Sequence, residues 1–247
     1  MNFKNRNVII TGGSQGIGFA TAKAFIQHGA NVLITGRNPE TLQKAAVEIN
    51  SSNLQTLAAD TSDMKGIATL EKWVADSGKK VDVLYLNAAI ATFMPILYVT
   101  EAEFDAQFNT NVKGHFFTLQ KLIPHLADGA SVIFTSSGVA TAASTAGSVY
   151  SATKAALNKI ADIAVNELAE RKIRVNIVSP GPIKTPGLLS VADDGTRDYL
   201  ASKNALQRLG NAEEVANTVL FLASDGAGYI NGADIAIDGG SIQYMLR

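Results

Sequence analysis

The 247-residue chain has no cysteine, so neither a disulfide nor a thiolate metal site is open to it. Its three histidines, His28, His115 and His125, fall in no metal-ligand spacing and read as incidental residues rather than ligands. Charge of either sign is never massed. The net charge is −1 and the pI about 6.3, with no block of like charges, which leaves no footing for nucleic acid or an anionic membrane surface as a partner. No apolar run approaches membrane-spanning length, and Met1-Asn2-Phe3-Lys4-Asn5-Arg6-Asn7 leads straight into a strand without a signal-type apolar region, which predicts a cytoplasmic protein. Repeats, low-complexity tracts and linker-like composition are missing too. With 47% hydrophobic and 17% charged residues, the expectation is one substantial core and a single domain over 1–247.

What is present is an alternation. Short apolar runs at Val8–Ile10, Asn31–Thr35, Leu54–Ala58, Val81–Leu86, Ser131–Thr135, Ile173–Val178 and Asp234–Ile237 read as strands. Between them lie helical stretches near 17–28, after Pro39, and near 63–77, 101–126, 149–171 and 212–223. Strands so uniformly apolar are buried on both faces, and right-handed crossovers then give a doubly wound parallel sheet of about seven strands in three α/β/α layers, a Rossmann-type α/β fold. The stretch from Pro182 to Asn204 shows no clear pattern and suits a mobile flap over a site, where substrate choice is expected to lie.

In such a sheet the first strand-to-helix turn is where a pyrophosphate meets a helix N-terminus. Here that turn is Thr11-Gly12-Gly13-Ser14-Gln15-Gly16-Ile17-Gly18. Gly12 allows the tight bend, Gly16 lets backbone approach phosphate, and Gly18 lets the helix pack closely. No Gly-Lys-Ser/Thr follows, so it is not a P-loop. The end of the second strand lacks the acidic residue that would accept hydrogen bonds from a ribose 2′-hydroxyl. Gly36 and Arg37 stand there instead, and a guanidinium, with the Ser14 hydroxyl, can hold a 2′-phosphate. These residues predict NADP(H) as cofactor.

Tyr150 and Lys154 are four apart on a predicted helix and so share a face, and Ser137 lies thirteen residues before Tyr150. A cation within a few ångströms of a phenol lowers its pKa, which makes acid and base work feasible near neutrality. Alone, Tyr150, Lys154, Ser137 and Asn111 each have an ordinary structural explanation. Together they fill the roles of acid, tuner, oxyanion donor and relay.

With the glycine turn, Asn111, Ser137, Tyr150 and Lys154 in order, the chain resembles the short-chain dehydrogenase/reductase family, end to end, in its shorter NADP(H)-type members. The resemblance implies that Tyr150 exchanges a proton with a carbonyl or alcohol oxygen, that Ser137 stabilises the developing alkoxide, and that Lys154 lowers the Tyr150 pKa and holds the nicotinamide ribose. Asn111 would hold a water linking Lys154 to solvent. It further implies that Asp60 and Thr61 border the adenine, and that Pro180, Gly181, Ile183 and Thr185 face the nicotinamide carboxamide. Asn87, Ala88 and Ala89 stand where the family has Asn-Asn-Ala-Gly. That motif is altered here to Leu86-Asn87-Ala88-Ala89, so a polar contact behind the sheet is lost and a methyl group is added near the cofactor.

The implied activity is hydride transfer between NADP(H) and a small ketone, aldehyde or secondary alcohol, with no metal. Two other readings stand beside it. One is a 3-oxoacyl-(acyl-carrier-protein) reductase, for which Arg171 and Lys172 are possible carrier contacts although Ala127-Asp128-Gly129-Ala130 offers none. The other is an inactive NADP(H)-sensing binding protein. The family pairs the helices of 101–126 and 149–171 across a subunit contact, which implies a homotetramer here.

Overall fold

The computed structural model describes residues 1–243, so the last four residues of the domain expected over 1–247 lie outside the described residues. Nine strands occur in it, namely β1 (Asn7–Ile10), β2 (Asn31–Gly36), β3 (Leu54–Ala58), β4 (Val81–Leu86), β5 (Leu126–Thr135), β6 (Arg174–Pro180), β7 (Ile183–Lys184), β8 (Gly210–Asn211) and β9 (Asp234–Ile237). The α-helices are α1 (Gly16–Gln27), α2 (Pro39–Ile49), α3 (Met64–Ser77), α4 (Glu101–Phe108), α5 (Gly114–Leu122), α6 (Ser148–Glu167), α7 (Pro186–Val191), α8 (Asp194–Ser202) and α9 (Ala212–Ala223). Seven strands form one parallel sheet in the order β3-β2-β1-β4-β5-β6-β9, and β7 and β8 pair separately. The order reverses between β1 and β4, and in an open sheet the crevice at that reversal is where ligands bind.

Successive strand residues point to opposite faces, and each face has its own core. Leu84, Leu86, Val132 and Phe134 join Leu157, Ala161 and Leu122 on one side. Val83, Tyr85 and Ile133 join Ile10, Ile34, Phe25 and Val219 on the other. The first face is covered by α3, α5 and α6, the second by α1, α2 and α9.

Several helix ends follow from local chemistry. The Asn38 side chain accepts from Glu40 N and Thr41 N with Pro39 at the first helical position, and Thr100 with Glu103 forms a reciprocal capping box on α4.

Two expectations need correction. The helix read over 101–126 is interrupted by a π-helical turn at Asn109–Lys113 and ends in a 3-10 turn at Ile123–His125. Pro124 cannot continue an α-helix, and Leu126 pairs with Val81, so β5 starts five residues before Ser131 across an irregularity in the register. The stretch 182–204, expected to be patternless, holds α7 and α8. Thr185 caps Leu188 N ahead of Pro186, and Asp193 caps Thr196 N, two start signals that composition obscured.

Candidate active site

The glycine turn between β1 and α1 opens onto a cleft of about 380 Å³ at the carboxyl ends of β1, β2, β4 and β5, a size suited to a small organic ligand. Every residue predicted for the site lines it except Gly18 and Asn111, which sit directly behind it. Gly12 has φ +65°, and a Cβ there would stand 2.8 Å from Ala88 Cα. A Cβ on Gly18 would collide with the Gly12 carbonyl oxygen and stand 2.7 Å from Asn87 Nδ2, so this glycine lets the helix close on the turn. Asn87 locks the turn from the other side. Its Nδ2 donates to Thr11 O and Gly12 O, both at 3.1 Å, while Asn87 N donates to Thr11 Oγ1 at 2.9 Å.

The cradle suits an anionic dinucleotide. Gln15 at the N-cap of α1 makes no side-chain capping bond, and the first turn holds no acidic residue, so its amide N–H groups are free to meet a phosphate. Ser14 Oγ lies 3.3 Å from where a Gly36 Cβ would be, next to the exposed Arg37. Thr35 Oγ1 and Ser136 Oγ, both buried in the cleft lining, have no protein partner.

The groups predicted for chemistry converge on the far side. Tyr150 and Lys154 lie one turn apart on α6, with Lys154 Nζ 5.7 Å from the centre of the Tyr150 ring. Lys154 is fully buried and donates to Thr135 O at 2.8 Å. Burial brings its pKa down to about 7. The half-buried Tyr150 is pushed up to about 12 by burial, against a hydrogen bond from Ser137 that lowers it. The expected depression of the phenol by the lysine is therefore not what this arrangement produces. The ammonium is turned to the Thr135 carbonyl, and at Tyr150 burial outweighs the hydrogen bond from Ser137.

Asn111 sits in the π turn, fully buried. Its Oδ1 accepts from Ile90 N at 2.9 Å, and its Nδ2 donates to Ile90 O at 2.8 Å and Thr153 Oγ1 at 3.1 Å. Both amide protons are thus spent on protein acceptors, so the side chain anchors a loop and is not free to give a proton to a water.

Known proteins resemble this arrangement along its whole length. The family described as enoyl-(acyl carrier protein) reductase matches residues 12–241. The oxidoreductase asL5 of Sarocladium schorii is 33% identical over 240 residues, with 96% of both chains covered. A 3-oxoacyl-(acyl-carrier-protein) reductase of Thermotoga maritima is 32% identical, with 98% of this chain and 100% of that one covered. A short-chain dehydrogenase from Burkholderia cenocepacia J2315, crystallised in complex with NADP, superimposes with a TM-score of 0.91 at 32% identity, over 98% of this chain and 99% of that one. The chain belongs to the short-chain dehydrogenase/reductase family. It is accordingly an oxidoreductase that works on carbonyl or alcohol groups of small molecules with a nicotinamide cofactor.

Some residues that shape the site of this short-chain dehydrogenase/reductase belong to none of its sequence motifs. Thr135 gives its carbonyl to Lys154, and its hydroxyl lies 2.7 Å from Tyr85 Oη and 3.3 Å from Asn87 Oδ1. A threonine hydroxyl has one proton; when Asn87 receives it, Tyr85 donates to Thr135 and the fully buried phenol is satisfied. His115, read as incidental, is buried with Nε2 3.2 Å from Leu86 O and Nδ1 3.3 Å from Thr110 O, and the single N–H of the neutral ring donates to one of these two carbonyls, at the end of β4 or in the π turn. It supplies a polar contact beside Leu86, where the altered motif lost one. Such roles come from residues distant in the chain, and no local pattern announces them.

Proposed function

We propose that the protein is an NADP(H)-dependent reductase of ketones or aldehydes, running in reverse as a secondary alcohol dehydrogenase. The observation that carries this reading is the convergence of Tyr150, Ser137 and Lys154 at one end of a cleft whose other end holds the glycine turn and Arg37. The nicotinamide supplies or accepts the hydride when bound.

The chain's own groups do the rest. Gly12, Ser14, Gln15, Gly16 and Ile17 receive the phosphates at the start of α1, with Gly18 behind them, while Arg37 and Ser14 bind the 2′-phosphate. Asp60, Thr61, Asn87, Ala88 and Ala89 line the adenosine and ribose portions, and Pro180, Gly181, Ile183 and Thr185 the nicotinamide end. Tyr150 gives its proton to the carbonyl oxygen during reduction and removes one from the alcohol during oxidation. Ser137 hydrogen-bonds the same oxygen and stabilises its developing charge. Lys154 holds ribose hydroxyls, and Asn111 keeps the loop beyond Ala89 in place. The flap of 182–204, with α7 and α8, covers the substrate end of this one domain.

The 3-oxoacyl-(acyl-carrier-protein) reductase reading has support in relatives such as the Thermotoga maritima protein. It fits the surface less well. Arg171, a candidate carrier contact, already donates to Ile123 O at 2.7 Å, Leu126 O at 2.5 Å and Asp128 Oδ1 at 2.9 Å, so its guanidinium is spent on the fold. An inactive sensing protein would have no use for the complete set of Tyr150, Ser137 and Lys154.

Phe104, Phe116 and Ile163 are 45%, 42% and 50% exposed on α4, α5 and α6, apolar surface that favours the homotetramer. No described helix is long and apolar enough to cross a membrane, in keeping with the cytoplasmic address that we propose. The test is Tyr150→Phe, assayed with NADPH and a ketone panel. The variant should bind NADPH with near-normal affinity and lose most turnover; an unchanged rate refutes the reading.

A further inference from the structure

The segment that follows Asn87 explains what the site is shaped to accept. Asn111 pairs with both backbone groups of Ile90, and Gln107 Oε1 accepts from Thr92 N at 3.3 Å while its Nε2 donates to Thr92 O at 3.4 Å. Two residues on, Met94 N donates to Ala146 O at 2.7 Å. Every second residue is pinned, as in a paired strand, so the side chains alternate: Ile90, Thr92 and Met94 turn inward, and Ala89, Ala91 and Phe93 turn out. The result is an extended, largely apolar edge beside the reacting groups, tied down at Ile90, Thr92 and Met94. Phe93 ends it, 53% exposed, with its ring centre 5.6 Å from that of Tyr150 and the two planes at 57°.

Charge is missing from the two segments that meet at Tyr150, and the guanidinium of Arg197 in the flap is engaged by Asp194 Oδ1 at 2.8 Å and Leu189 O at 3.2 Å. No Asp, Glu, Lys or Arg occurs from Asn87 to Thr100 or from Gly129 to Thr153. Among the described residues, the charged ones lining the cleft are Arg37 and Asp60 at the glycine-turn end and Lys154, whose ammonium is engaged with Thr135. A carboxylate or phosphate on the substrate would be desolvated beside Tyr150 without a counter-ion, which is unfavourable.

A flat ring is favoured. Ala89, which lines the cleft, and Ala91 carry only methyl groups along this edge, and the Phe93 face beside Tyr150 offers an offset or edge contact that a saturated group of equal size cannot match.

We propose that the substrate is an uncharged aryl ketone, or the corresponding alcohol, seated on Phe93, which sets the selectivity. This rests on the reading of Tyr150 as the proton donor. The experiment is steady-state reduction by NADPH of acetophenone, cyclohexyl methyl ketone and 4-acetylbenzoate, with wild type, Phe93→Leu and Tyr150→Phe. Wild type should prefer acetophenone over its saturated counterpart by about 10-fold in kcat/KM, the size of one aromatic contact. It should use the anionic 4-acetylbenzoate at least about 100-fold less well than acetophenone. Phe93→Leu keeps an apolar side chain and removes the ring; it should erase the aryl preference, bringing kcat/KM for acetophenone down to that for the saturated ketone through KM.

An aryl preference that survives Phe93→Leu, efficient use of 4-acetylbenzoate, or no turnover of acetophenone by wild type overturns the inference. Tyr150→Phe separates it from the reading beneath. Persistence of turnover in that variant sinks the assignment of Tyr150, whereas loss of all turnover in it alongside an unaltered aryl ratio in Phe93→Leu sinks only the substrate class.

Discussion

Replacing Lys154 with methionine is expected to make the cofactor-free protein more stable near and below neutral pH while abolishing turnover. A fully buried lysine whose pKa falls from 10.5 to about 7 has its charged form disfavoured by about 5 kcal/mol, at 1.36 kcal/mol per pKa unit. Methionine fills a similar linear volume without a charge. It also leaves Thr135 O without its 2.8 Å partner, an unsatisfied carbonyl worth about 1–3 kcal/mol. The net gain is about 2–4 kcal/mol below pH 7, where native and unfolded lysine are both protonated and the wild type carries the whole penalty. As pH rises from 7 towards 10.5, the native lysine is neutral while the unfolded one keeps its proton, so wild-type stability climbs and the gap closes. By about pH 9.5 it should be near zero. Urea unfolding of both proteins at pH 6, 8 and 9.5 measures the difference directly, with every other titrating group common to the pair. A gap that stays constant across that range would show that the buried charge is not what the variant relieves, and the argument would fail.

Arg37→Asp should weaken NADPH binding by about 10–100-fold while sparing NADH, since a guanidinium–phosphate contact becomes a like-charge repulsion; fluorescence titration with both nucleotides reads the ratio, and equal losses would refute the 2′-phosphate site. Gly18→Ala should cost about 3 kcal/mol or more, because its Cβ meets the Gly12 carbonyl and Asn87 Nδ2, and the added methyl can be accommodated only by opening the turn; thermal unfolding with an unchanged midpoint would contradict the packing. His115 is held neutral down to a pKa of about 3, chiefly by burial and then by Lys154, so the stability it confers is present above pH 6.5 and lost as pH falls towards 3. His115→Leu should flatten that acid limb while lowering stability at pH 7 by about 1–3 kcal/mol through the one carbonyl, Leu86 O or Thr110 O, that takes the single N–H of the neutral ring; an unaltered acid limb in the variant would place the sensitivity elsewhere.

The parallel sheet was legible because uniformly apolar runs of strand length, separated by helical stretches, admit few other packings. Residues 54–58, 81–86 and 234–237 were bounded as the structure bounds them, and α9 likewise. The misreadings share a cause, in that a local signal was present and a larger pattern hid it. Pro124 and the π turn at Asn109–Lys113 break what reads as one long amphipathic helix, and the caps Thr185 and Asp193 begin short helices in a segment rich in turn residues. Within the site, spacing alone brought Tyr150 and Lys154 to one face. Spacing could not say how deeply each is buried, and depth decides the sign of a pKa shift: proximity argues for a lowered phenol, desolvation for a raised one, and the structure gives Tyr150 at about 12.

Depth also explains why Thr135 matters although no motif contains it. It stands at the carboxyl end of β5, beside the ends of β4 and β6, and so faces three functions at once. Its carbonyl fixes the Lys154 ammonium, its hydroxyl meets the Asn87 amide that holds Thr11 and Gly12 of the glycine turn, and Tyr85 braces that hydroxyl from within the core. A buried lysine with one acceptor is a strained arrangement that a protein tolerates only when the acceptor cannot move. Here the acceptor belongs to a central strand paired on both sides, so the carbonyl that takes the lysine is held in place by the sheet. The fold therefore gives up stability to bury a cation here, and the sheet supplies the stiffness that makes this possible.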